Sequence, residues 1–62
     1  MELIRGNIYV IKCIDGVERD ARCLYGYNYE GQACMKLFEP YEIEGKKLLY
    51  AFPKKEQVVR AM

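Results

Sequence analysis

Residues 8–17 read Ile8-Tyr9-Val10-Ile11-Lys12-Cys13-Ile14-Asp15-Gly16-Val17, a run of β-branched and aromatic residues that ends in Asp-Gly. Asp-Gly between apolar runs is the strongest local signal for a β-hairpin, because a two-residue type I′ turn needs positive φ at both central residues. A two-residue turn at Asp15-Gly16 sets a register. Ile14 then faces Val17, Lys12 faces Arg19, Val10 faces Ala21 and Ile8 faces Cys23 on one side of the ribbon. On the other side Cys13 meets Glu18, Ile11 meets Asp20 and Tyr9 meets Arg22. The first side is the expected core face, interrupted by Lys12 and Arg19 near its rim. The second leaves Tyr9 and Ile11 in need of cover from a neighbour, a partner or another sheet layer. The plainest cover for Tyr9 is its cross-strand neighbour Arg22.

From this hairpin the pattern extends toward the C-terminus. Strand two is expected from Val17 to Tyr25, with Glu18, Asp20 and Arg22 outward and Val17, Ala21 and Cys23 inward. Alternation of this kind belongs to an antiparallel strand with one wet face. Tyr25, Tyr27 and Tyr29 then stand at alternate positions, so an extended chain would place their rings on one face. Gly26 and the segment Asn28 to Gly31 argue for a bulge and a turn within that stretch. Such a tyrosine row serves as a cap for the end of a small barrel, as a set of anchors for a protein partner, or as a stacking platform for single-stranded nucleic acid.

Gln32 to Phe38 reads as strand three, and either parity is apolar enough to face inward. Glu39-Pro40 is expected to end it, because proline cannot continue the ladder. Tyr41 to Ile43 and Lys46 to Phe52 form a further hairpin about Glu44-Gly45, pairing Glu42 with Lys47 and Tyr41 with Leu48. An acidic residue followed by glycine thus recurs at Asp15-Gly16, Glu30-Gly31 and Glu44-Gly45. Even spacing of short strands and turns predicts an all-β domain, either a small five-stranded barrel or an antiparallel meander built from three hairpins. Glutamate suits a type I′ turn less well than aspartate, so the later two turns are expected to be the longer ones. Residues 53–62 fit a short helix or a tight turn followed by a strand from Val58 to Met62. The strand is preferred, because Val58-Val59 favours extended backbone and so short a helix is marginal alone.

Tyr50-Ala51-Phe52-Pro53 followed by Val58-Val59 is similar to the end of SH3-type barrels, where a strand runs into a Phe-Pro turn and a short closing strand. The resemblance implies an SH3-like topology. It implies no proline-rich ligand, because tryptophan is absent and Leu24-Tyr25-Gly26-Tyr27 echoes the Ala-Leu-Tyr-Asp-Tyr element in a different place.

A chain of 62 residues makes one domain, residues 1–62, and at this size buries only about 60% of the surface its unfolded form exposes. With 52% apolar residues, more is apolar than such a core can hide, which points to a homo-oligomer or a partner surface. Ten Lys and Arg against nine Asp and Glu give +1, without the basic excess of a dedicated nucleic-acid binder. No apolar run is long enough to span a membrane and the N-terminus lacks a secretory pattern, so the expected compartment is the cytoplasm. The initiating methionine reads as the start of a complete small reading frame. Cys13, Cys23 and Cys34 are an odd set in apolar contexts, expected to be reduced and packed as small hydrophobes. With no histidine and no Cys-x-x-Cys, neither a metal site nor a cofactor is expected.

Serine and threonine are absent along with histidine. No cysteine has a base to activate it, so the chain is not expected to be an enzyme. The leading expectation is a non-catalytic protein-binding module, an inhibitor or adaptor of the kind small phage and mobile-element reading frames encode. It would dock on a larger host protein through Tyr9, Ile11, Tyr25, Tyr27 and Tyr29. The alternative is a nucleic-acid-binding barrel in which the tyrosines stack on bases and Lys46, Lys47, Lys54 and Lys55 hold phosphates. A third expectation is a purely structural assembly component.

Overall fold

The computed structural model describes residues 1–62. Five strands, β1 (Ile8–Lys12), β2 (Glu18–Tyr25), β3 (Cys34–Ile43), β4 (Lys46–Ala51) and β5 (Val58–Ala61), build one antiparallel sheet in the order β4-β3-β2-β1-β5. The first four make a meander of three hairpins, and the chain then returns to lay β5 along β1. The sheet does not close: β4 and β5 are its two edges.

The first hairpin departs from the expected register by one residue. Tyr9 lies opposite Ala21, Ile11 opposite Arg19 and Lys12 opposite Glu18. The turn explains the shift. The Gly16 amide donates to the Cys13 carbonyl and the Cys13 amide to the Val17 carbonyl, both at 2.9 Å, so the loop holds Ile14, Asp15 and Gly16. Only Gly16 takes positive φ there, at 84°, as the closing residue of a type I turn with a bulge. Because side chains alternate with period two, a one-residue slip exchanges the faces of β1. Tyr9, Ile11 and Cys13 therefore point into the core cluster, Val10 is buried on the opposite face outside that cluster, and Ile14 is exposed. Electrostatics favours this outcome: the two-residue turn would set Lys12 against Arg19, like against like, whereas the observed register sets Lys12 against Glu18.

A second turn repeats the first. The Asn28 amide donates to the Gln32 carbonyl and the Gly31 amide to the Asn28 carbonyl, both at 2.9 Å, and Gly31 has φ 79°. The Asn28 side-chain oxygen accepts from the Glu30 and Gln32 amides at 2.9 and 3.0 Å, so this one residue organises the loop. Emerging from it, the chain buries Ala33, Met35 and Leu37, which fixes the parity that sequence left open.

Glu39-Pro40 does not end β3. Between Lys36 and Tyr41 the pairing with β4 shifts, five residue steps on β3 running against two on β4. Pro40 falls inside that bulged stretch, where no ladder amide is required of it. Beyond it Tyr41 pairs with Leu48 and Glu42 with Lys47, as expected. Here the turn has two residues, with Glu44 at φ 50° and Gly45 at φ 77°. Of the two Glu-Gly turns, the one at Glu30-Gly31 is longer than two residues, as expected, whereas Glu44-Gly45 makes the two-residue turn and Asp15-Gly16 does not, the reverse of the expectation from residue preference.

The C-terminal segment is a single 3-10 turn at Lys55–Gln57 and then β5. The Gln57 side chain accepts from the Lys54 amide at 2.9 Å, holding the turn shut. The core consists of eight buried residues, Tyr9, Ile11, Cys13, Ala21, Cys23, Ala33, Met35 and Leu37. The cysteines are free, Cys13 and Cys23 buried and Cys34 half-buried. No helix is long and apolar enough to cross a membrane.

Candidate protein-binding groove

Curvature brings the exit of β1 near the edge of β4, and between them lies an open groove of about 280 Å³. Its floor is the outer margin of the core at Ile11 and Cys13. Ile14, carried on the tip of the first turn, forms one wall; Tyr41, Leu48 and Phe52 form the other. Pro53 and Gln57 close the end nearest the 3-10 turn. Lys12 is the one charged residue in the lining.

The Ile14 wall is held in place by an electrostatic rivet. Asp15 receives two hydrogen bonds from Arg19, at 2.8 and 2.9 Å, and its Oδ1 also accepts from the Val17 amide at 3.1 Å. The same guanidinium stacks 3.6 Å from the centre of the Tyr41 ring, so one arginine ties the first turn to β3. Bonding to Arg19 holds the Asp15 carboxyl down at about 2, and bonding to Asp15 raises the arginine further. Burial lifts the Tyr41 hydroxyl, with the neighbouring Cys13 thiol adding to the effect. The arrangement offers an apolar trough with a stiff rim. No group of three or more histidine, cysteine or carboxylate side chains is placed to hold a metal ion.

The residues expected to bind a partner are not brought together. Tyr9 and Ile11, at 2% and 1% exposure, are core; the register slip that carried them inward also removes them as an outer face. The Tyr9 hydroxyl is itself engaged, accepting from the Ile4 amide at 2.8 Å. Nor do Tyr25, Tyr27 and Tyr29 form a row. Pairing shifts between Cys23 and Tyr25, and the turn at Asn28 follows directly, so alternation is lost. Tyr25 is exposed with the Arg5 guanidinium 5.6 Å from its ring. Tyr27 packs against the core, its hydroxyl buried without a hydrogen-bond partner and its ionisation made harder by burial. Tyr29 projects from the second turn at 97% exposure. The four lysines are likewise divided: Lys46 and Lys47 open β4, Lys54 and Lys55 lie beyond its end, roughly 20 Å apart at the rise of an extended chain.

Ile14, Tyr41, Leu48 and Phe52 were not singled out by the sequence as site residues. The register expected from Asp15-Gly16 placed Ile14 in the strand opposite Val17, so its position at the turn tip left no signal in the sequence. No family model, no curated protein and no solved structure matches the chain.

Proposed function

We propose that this chain is a small, non-catalytic SH3-like β module that binds a protein partner in the groove between the first turn and β4. The strand order and the Phe52-Pro53 exit into a 3-10 turn and β5 support the SH3-like reading. The observation that carries the binding reading is the groove itself, an apolar trough beside a core of only eight residues. Exposed apolar surface gathered in one concavity is where partners dock. Ile14→Asp and Phe52→Asp place a carboxylate on either wall without touching the core. A partner captured from lysate in the presence of nuclease should be lost with both variants and kept with Tyr29→Ser. Retention with the groove variants would end this reading.

Nucleic-acid binding has one observation in its favour. Arg22 and Lys36 lie directly opposite each other on β2 and β3, an unfavourable placement that an anion would relieve, and exposed Phe38 sits 5.6 Å from the Arg22 guanidinium. The lysines Lys46, Lys47, Lys54 and Lys55 are not part of that patch. Binding of oligo-dT that weakens steeply with salt and is abolished by Lys36→Glu would support this second reading; salt-insensitive or absent binding would remove it.

A further inference from the structure

β4 is hydrogen-bonded to β3 on one side and to no strand on the other. A free edge of this kind presents unpaired amides and carbonyls to any extended chain that reaches it. Proteins commonly guard such edges with lysine, and here the guards stand only at the ends. Lys46 and Lys47 open the strand, Lys54 and Lys55 follow it, and Leu48 to Phe52 between them carry no charge. The groove runs beside that unguarded stretch.

Charge decides what can lie there. The one ion pair in the chain joins Arg19 to Asp15; Lys47 stands opposite Glu42 without bonding it, while Lys46 and Lys54 stand opposite the uncharged Ile43 and Gln32. A second copy pairing antiparallel through its own β4 and centred on Tyr50, the middle of that stretch, would set Lys46 against Lys54 at both ends and Lys47 against Pro53. Like charges directly opposite oppose that dimer. A segment with an apolar middle and acidic ends meets the reverse situation at both ends.

We infer that the occupant is an extended segment of a partner protein that adds to β4 as a sixth strand. It lays alternate apolar side chains in the groove and sets acidic residues against Lys46 and Lys47 at one end and Lys54 and Lys55 at the other. The inference rests on the protein-binding reading and specifies its partner. Backbone pairing supplies affinity in this mode, and the side chains that alternate into a trough supply specificity. Acidic ends six residues apart span about 20 Å, within side-chain reach of Lys47 and Lys54, which stand seven residues apart along the edge.

The test uses the whole chain, labelled with 15N, and a blocked synthetic peptide, Glu-Glu-Val-Thr-Val-Thr-Val-Glu-Glu. Addition to β4 should shift the amides of Leu48 to Phe52 and of Ile11 to Ile14, and should slow exchange of the outward β4 amides. Two copies N-methylated at alternate residues separate the modes. The phase that blocks donors facing β4 should weaken binding at least tenfold, and the other phase should bind as the parent does. The Lys47→Glu/Lys54→Glu chain should bind the parent peptide at least tenfold more weakly and prefer a peptide with lysine ends. Equal binding of both methylated copies with groove shifts retained overturns strand addition while leaving groove docking intact. Absence of any shift in β4 and the groove at millimolar peptide also overturns it. The protein-binding reading itself stands or falls separately, on capture by Ile14→Asp and Phe52→Asp.

Discussion

Truncating Ile11 and truncating Ile14 should have opposite consequences, and the contrast tests the register of the first hairpin. Ile11 is 1% exposed in the middle of the core, whereas Ile14 is 71% exposed on the turn. Ile11→Ala removes three carbons, and at about 0.8 kcal/mol for each the transfer loss is about 2.4 kcal/mol. The cavity left behind adds to this, and buried Ile→Ala changes cost roughly 2–5 kcal/mol in all. A loss of about 3–4 kcal/mol follows for Ile11. Domains carry about 0.05–0.15 kcal/mol of stability per residue, so the whole chain has roughly 3–9 kcal/mol to lose. Ile11→Ala should therefore remove between a third and all of the folding free energy. Ile14→Ala should cost under about 0.5 kcal/mol, the usual figure for a surface change.

Urea unfolding followed by far-ultraviolet circular dichroism measures both. With a slope of about 1 kcal/mol per molar, as for the smallest proteins, Ile11→Ala moves the midpoint down by about 3 M or abolishes the folded baseline. Ile14→Ala should leave the midpoint within about 0.5 M of the parent. If the order is reversed, β1 presents its other face to the core and the three-residue turn described above is wrong. Equal and small losses would show that neither face is packed.

Three further outcomes follow from particular groups. Asp15, held at about 2 by Arg19, takes up its proton less readily folded than unfolded, so its contribution is complete above about pH 4 and is lost as pH falls toward 2. The acid side of the stability profile should flatten in Asp15→Asn, and an unchanged slope would show the pair to be idle. Cys34 is half-buried while Cys13 and Cys23 are buried, and burial also raises the Cys23 thiol. An aromatic disulfide reagent should thus modify Cys34 first and Cys23 only through unfolding, with mass spectrometry locating the label; equal rates would contradict the packing. Gly45→Ala places an L side chain at φ 77° and should cost about 1–2 kcal/mol. By contrast, Gly26→Ala meets nothing nearer than the Leu3 carbonyl at 3.8 Å and should cost much less in thermal denaturation.

How much of the fold could be read from residue type depends on whether local chemistry decided the matter. The last hairpin was legible, because Glu42 with Lys47 and Tyr41 with Leu48 made only one register attractive. In the first hairpin the turn residues misled, since Asp15-Gly16 fits a type I′ turn and also the last two places of a three-residue turn. The information that separates the two lay across the strand, in Lys12 facing either Arg19 or Glu18. Pro40 was read as a stop because the bulge that accommodates it exists only once β3 and β4 are paired. The tyrosine row failed for a similar reason, its alternation being broken by a pairing shift at Cys23 and Tyr25. The groove was the least legible part, because Ile14 is far in sequence from Leu48 and Phe52 and meets them only through the curvature of the sheet.

The two turns that share one hydrogen-bond pattern bear directly on function. Ile14 and Tyr29 occupy the same place in them, the first position after the residue whose carbonyl closes the turn. That position tolerates almost any side chain, polar ones included, and both residues are largely exposed there. Neither is required by the turn, and neither belongs to the core. An isoleucine in such a place loses solubility without gaining stability, so the reason for it lies in what it meets. Ile14 overlooks the groove, and Arg19 and Asp15 hold it there through Tyr41. Tyr29 lines no part of the groove. Substitutions at these matched sites should thus leave stability alike and differ in binding, which separates a docking residue from an exposed one within a single fold.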